Sequence, residues 1–99
     1  PIFVTENGCS WPDPDLASAE NVSNRSEFLK EYIAAMQATK EEDKVDVRGY
    51  FCWTLMDNFE WNSGFARHLG LIRTSPDDLT RHRKGSFYTY RDLIRQARG

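Results

Sequence analysis

The order in which apolar runs and helical periodicity alternate along the chain constrains its fold more than any other feature. Pro1-Ile2-Phe3-Val4-Thr5 is a short, nearly continuous apolar run that stops at Glu6-Asn7-Gly8. That is how a strand buried on both faces reads when it ends at a turn. From Cys9 to Val22 the composition shifts to Pro, Asp, Ser and Asn, and Pro12 and Pro14 exclude a helix, so a long surface loop is expected. Ser23 or Asn24 then caps a helix. Glu27 stands three places after Asn24 as in a capping box, and Phe28, Leu29, Tyr32, Ile33 and Met36 recur at helical spacing towards an end near Lys40. Glu41-Glu42-Asp43-Lys44 reads as a solvated turn, and Val45 to Thr54 as a second strand containing Val47, Tyr50, Phe51 and Trp53.

Strand, loop, helix, strand is a βαβ unit, which implies two parallel neighbours with the helix crossing over one face. The polar segments after the two strands then share one edge. At that edge, the carboxyl ends of parallel strands, α/β folds and barrels place their sites. After Asp57 to Phe65 come a further apolar stretch at Leu69 to Ile72 and a turn around Pro76-Asp77-Asp78. A last helix is expected from Ser86, with Phe87, Tyr90, Leu93, Ile94 and Ala97 on one side. There is no internal repeat and no low-complexity tract.

Ninety-nine residues are enough for one small domain and too few for two. Six Phe, four Tyr and three Trp give more burial capacity than a disordered tail carries. The mean hydropathy of -0.67 is nevertheless low, and suits a piece that completes a larger core as well as a self-sufficient domain. The chain opens directly on a strand with no initiator Met, basic leader or apolar signal core, so a segment removed upstream is expected. No run has the character of a membrane span. The formal charge is -2 and basic residues do not pool until the last third, which argues against nucleic acid. Arg81-His82-Arg83-Lys84, with Arg91, Arg95 and Arg98, reads as a solvated helix face. Cys9 and Cys52 leave a single disulfide or two free thiols open, with the thiols favoured. They have no metal-ligand spacing, and with only His68 and His82 in the chain a zinc site is not expected. Asn21-Val22-Ser23 and Asn24-Arg25-Ser26 are glycosylation triplets of a kind that chance often produces, and localisation stays open.

Two acidic clusters close the two strands: Glu6, and the Asp57-Asn58-Phe59-Glu60-Trp61 stretch. Singly, a Glu beside Asn-Gly is usually a turn carboxylate, and Trp53 and Trp61 are ordinary core aromatics. Together they place carboxylates and indoles on the carboxyl-end rim of neighbouring strands. A sugar needs that equipment: its C–H faces stack on rings, its hydroxyls pair with carboxylates and indole N–H, and its anomeric carbon is open to a carboxylate nucleophile.

Thr5-Glu6-Asn7-Gly8 at the end of an Ile-Phe-Val strand, followed by Gly49-Tyr50-Phe51-Cys52-Trp53-Thr54-Leu55-Met56-Asp57-Asn58-Phe59-Glu60-Trp61, resembles the C-terminal part of a glycoside hydrolase family 1 β-glucosidase. Arg25 and Tyr32, Gly64-Phe65, Gly70-Leu71, and Arg81, Lys84 and Ser86 also fall where that family's pattern expects them, so the resemblance covers essentially the whole chain. It implies an α/β chain that supplies the seventh and eighth strands, with their helices, of a (β/α)8 TIM barrel. Residues 1–99 would then be one segment of a single catalytic barrel and not an independent domain. Glu6 would be the nucleophile of a retaining β-glycosidase acting on unphosphorylated β-glucosides. Trp53 would stack beneath the glycone, Glu60 would accept from hydroxyls around positions 4 and 6, and the Trp61 indole would reach the neighbouring hydroxyl. The implied partners are a small β-glucoside and the rest of the barrel, with no nucleic acid and no membrane, and no cofactor is implied. The family's acid/base motif, Thr-x-Asn-Glu-Pro, is absent from these residues, so the chain alone is expected to be inert. His68-Leu69-Gly70, Arg73-Thr74-Ser75-Pro76, Thr89 and Val22 depart from the family's pattern, the first replacing an aromatic near the glycone's primary hydroxyl. A sugar binder without catalysis on the same fold is the second reading, and an interaction module without sugar chemistry the third.

Overall fold

The computed structural model describes residues 1–11 and 23–99. Most of the loop expected between Cys9 and Val22, the first glycosylation triplet and the Val22 departure lie outside the described residues. The first strand, β1 (Ile2–Asn7), pairs in parallel with β2 (Val47–Cys52), and α1 (Ser23–Glu42) is the crossover between them. Ile2 stands opposite Val47, Phe3 opposite Gly49, Val4 opposite Tyr50 and Asn7 opposite Cys52, so between the last two pairs β1 holds one residue more than β2. The ladder is therefore irregular at Thr5-Glu6.

Helix α1 follows the predicted spacing in part, since Tyr32, expected on the same stripe, is 51% exposed. Leu29 and Ile33, four residues apart, turn inward together and are buried, while Lys30, Glu31, Ala34 and Ala35 are exposed. The helix runs two residues beyond Lys40, since Glu41 and Glu42 are good helix formers. It stops where Lys44 takes a left-handed φ of 59°, and the Lys44 Nζ caps the end by donating to the Glu41 carbonyl at 2.6 Å. The expected capping box does not form. The helix already begins at Ser23, and Glu27 accepts from Lys30 Nζ at 2.9 Å on the exposed face.

A cis peptide bond joins Trp53 to Thr54. Beyond it, residues 54–57 run beside 69–72: Thr54 N donates to Leu69 O, Leu71 N to Thr54 O, Ile72 N to Leu55 O and Asp57 N to Ile72 O, at 2.8–3.3 Å. Next comes a hairpin of β3 (Ile72–Thr74) and β4 (Arg81–Arg83), antiparallel, with Ile72 opposite Arg83 and Thr74 opposite Arg81. The last element, α2 (Gly85–Arg98), packs on α1, where the Thr89 hydroxyl donates to Ser26 Oγ at 3.0 Å.

The reading of Arg81-His82-Arg83-Lys84 as a solvated helix face is corrected here. Arg81, His82 and Arg83 are an exposed strand, and Lys84 is 1% exposed because a buried carboxylate, Asp57, receives its ammonium at 2.9 Å. Only Leu29, Ile33, Val47 and Leu71 are buried apolar residues among those described. Ile2, Phe3, Phe51 and Leu55 are more than half exposed. They flank a ribbon of two parallel strands, which is too narrow to be stable by itself.

Candidate functional site

Glu6 is the penultimate residue of β1 and exposed. Its neighbour Asn7 anchors the strand end to β2: the Asn7 carbonyl accepts from Trp53 N at 2.8 Å, and its side-chain oxygen accepts from the Tyr50 hydroxyl at 2.6 Å. Tyr50 in turn lies 6.2 Å, ring to ring, from Tyr90 of α2. The Asn7 side chain thus faces the helices, and Glu6 stands exposed beside it at the irregular end of the ladder. Gly8 completes the junction. A Cβ there would sit 1.9 Å from the Trp53 carbonyl oxygen, so only glycine lets the chain pass. Glu6 and Trp53, 39% exposed, are by this construction held at adjoining ends of two parallel strands.

Glu60 and Trp61 belong to a tight loop that follows Asp57, where the segment beside residues 69–72 ends. Glu60 N donates to Gly64 O and Ser63 N to Glu60 O, both at 2.8 Å, and a single 3₁₀ turn spans Trp61–Ser63. Phe59 and Phe65 close the base edge to face, 5.4 Å apart. Trp61 is 84% exposed and sits at φ 44°, a strained conformation for a bulky side chain. Large indoles are seldom left so open without a ligand or partner to cover them. Among the described residues no hydrogen bond or ion pair joins Glu6 to Glu60.

Sequence reasoning did not find the supports of this rim. Asp57 Oδ1 accepts from Gly70 N at 2.7 Å and from Lys84 Nζ at 2.9 Å. Arg25, 4% exposed, donates from its guanidinium to the His68 carbonyl, which also accepts from Trp11 N at 3.2 Å. Trp11 meets Phe28 edge to face at 5.9 Å, and Phe28 stacks on Tyr32 at 4.2 Å. Arg25, Gly70 and Lys84 were signalled only by their match to the family pattern, Asp57 also by its acidic cluster and Tyr32 also by its helical spacing; Phe28 was signalled by that spacing alone, His68 as a departure from the pattern, and Trp11 not at all. Cys9 and Cys52 are free, half-buried thiols. Among the described residues no cluster of His, Cys, Asp and Glu is suited to a metal ion, and no helix is long and apolar enough to cross a membrane.

A parallel βαβ unit with a carboxylate and aromatic rim at its strand ends defines an α/β chain of the barrel-forming kind. Residues 1–98 match the profile of glycosyl hydrolase family 1, and the chain belongs to that family. It is 38% identical over 99 residues to β-glucosidase 42 of Arabidopsis thaliana, covering 96% of this chain and 20% of that protein. It is also 38% identical to a bifunctional β-D-glucosidase/β-D-fucosidase of Bifidobacterium breve, covering 95% and 21%. Among solved structures, a β-glucosidase from Exiguobacterium marinum superposes with a TM-score of 0.88 at 30% identity, covering all of this chain and 22% of that one. β-Glucosidase 2 of the fungus Trichoderma reesei gives 0.85 at 36% identity, covering 98% and 22%. The chain spans about a fifth of the length of these relatives, whose fold is a TIM barrel.

Proposed function

We propose that this chain forms the seventh and eighth β/α units of the barrel of a retaining β-glycosidase acting on unphosphorylated β-glucosides, with Glu6 as nucleophile. The observation that carries the reading is the juxtaposition of two strand ends: Glu6 is the penultimate residue of one strand and Trp53 leaves the end of its parallel neighbour. The Glu60–Trp61 loop follows that neighbour in the chain. The relatives' names supply the substrate class.

In the complete barrel, a Glu6 carboxylate oxygen attacks the anomeric carbon as the bond to the leaving oxygen breaks. A second carboxyl group, from outside these residues, gives that oxygen its proton. The glycosyl ester is then hydrolysed by water that the same group deprotonates, so configuration is retained when the two carboxyls stand about 5–5.5 Å apart. Trp53 stacks beneath the ring, Glu60 accepts from the hydroxyls around positions 4 and 6, and the Trp61 N–H reaches the adjoining hydroxyl. Glu60 also disfavours 6-phosphorylated sugars, since a carboxylate and a phosphate repel. Leu69, at a position where the family's pattern has an aromatic, makes the wall near the 6-position aliphatic.

A 2-deoxy-2-fluoro-β-glucoside with a good leaving group tests the reading on the full-length protein. Mass spectrometry should place the trapped glycosyl on Glu6, and Glu6→Gln should abolish both labelling and turnover. Label on another carboxylate would overturn the assignment. Tight sugar binding without any label would favour the non-catalytic binder, which Leu69 and Thr89 keep in view. The isolated chain should not hydrolyse an aryl β-glucoside, since it carries neither the proton donor nor most of the barrel.

A further inference from the structure

Asp57 and Lys84 form an ion pair that is almost fully withdrawn from water, with side-chain exposures of 8% and 1%. Removing two charges from water costs several kcal/mol for each ion. Such a pair is therefore weak as a source of stability, and its place in the fold asks for another explanation.

That place is the root of the Glu60–Trp61 loop. Asp57 is the last residue of the segment that runs beside residues 69–72, its N–H donating to Ile72 O at 2.9 Å, and the loop begins at the next residue. Asp57 Oδ1 gathers Gly70 N and Lys84 Nζ, while Lys84 N donates to Leu71 O at 3.0 Å and Lys84 O accepts from Phe87 N at the start of α2. One carboxylate oxygen thus ties the loop root to the Gly70–Ile72 segment, the end of β4 and the first turn of α2. Gly70 is shaped to this clasp, because a Cβ there would lie 2.3 Å from Asp57 N and 2.7 Å from its Oδ1. Above the root the loop is braced internally, by the Glu60–Gly64 and Ser63–Glu60 bonds, the Phe59–Phe65 contact, and the Asn58 amide donating to Met56 O at 3.1 Å. A braced loop on a fixed root moves only as its root moves.

From this we infer that Asp57 and Lys84 are positioning residues, which set the reach of Glu60 and Trp61 towards the sugar without touching it. The inference rests on the proposed role of Glu60. The experiment compares an aryl β-glucoside with its 6-deoxy analogue on the full-length protein, in Glu60→Gln, Asp57→Asn and Lys84→Met. Asp57→Asn keeps an acceptor for Gly70 and the shape of the clasp. Displacement of a binding group by a fraction of an ångström to an ångström should lower kcat/KM on the glucoside by about tenfold or more, with much less effect on the 6-deoxy substrate. In a Glu60→Gln background the same substitutions should no longer change the ratio between the two substrates.

Equal losses on both substrates, or no loss, would overturn the inference. So would failure of both Asp57→Asn and Lys84→Met to fold, which would make the pair a stability element. A ratio unmoved by Glu60→Gln itself would remove Glu60 from the sugar site, and the inference with it. A ratio moved by Glu60→Gln alone would spare that role and reject only the positioning.

Discussion

Cys52 shows how far a single residue's chemistry depends on its surroundings. Its thiol is pushed up to about 11, chiefly by burial, with Cys9 adding and the Arg25 guanidinium opposing; Cys9 is raised too, again by burial against Arg25. A raised thiol holds its proton longer, so the reactive thiolate appears only as pH climbs towards 11. At pH 8 the folded full-length protein should therefore lose Cys52 to iodoacetamide about 100-fold more slowly than the denatured chain, with the gap closing as pH rises. Peptide mapping of the alkylated protein measures this, and equal rates would refute it. Residues differ in how legible such surroundings are. Glu6, Trp53, Glu60 and Trp61 stand in contiguous motifs and can be read directly. Lys84 cannot, because its burial is decided by a carboxylate 27 positions away, and a lysine in a run of basic residues gives no hint of it.

Among the elements, those with enough residues to express a period were predictable. The bounds of α1 fall close to expectation and its inward stripe includes Leu29 and Ile33, whereas β1 was legible as an apolar run and not as a period, and among the described residues it is mostly exposed and not buried on both faces as expected. The hairpin strands β3 and β4 have three residues each, too few for any alternation to show, and their pairing depends on contacts across the turn between them. Helix α1 also supports a contrast in stability. Leu29→Ala in the full-length protein should cost about 2–5 kcal/mol, as loss of a fully buried leucine does. Lys30→Ala, which breaks only an exposed ion pair with Glu27, should cost well under about 1 kcal/mol. Denaturant titration of both variants distinguishes them, and comparable losses would mean that α1 does not bury the face described.

At the scale of the whole molecule, Ile2, Phe3 and Phe51 on the two-stranded ribbon, and Leu55 just beyond it, are each more than half exposed. Expressed by itself, the chain should therefore self-associate and melt without a sharp transition, as light scattering and calorimetry would reveal. A monomer with a cooperative transition would contradict this, and with it the reading of the chain as one segment of a barrel.

The irregular ladder between Val4 and Asn7 bears on how the carboxylate is presented. Successive residues of a strand turn to opposite faces, so a slip of one pairing exchanges the faces as well as moving the chain by about 3.3 Å. The extra residue in β1 falls in the interval that contains Glu6. On the proposed reading, the presentation of the nucleophile to the sugar is written partly in a hydrogen-bonding register, and a deletion at Thr5 would put it at risk with every catalytic residue still present in the sequence.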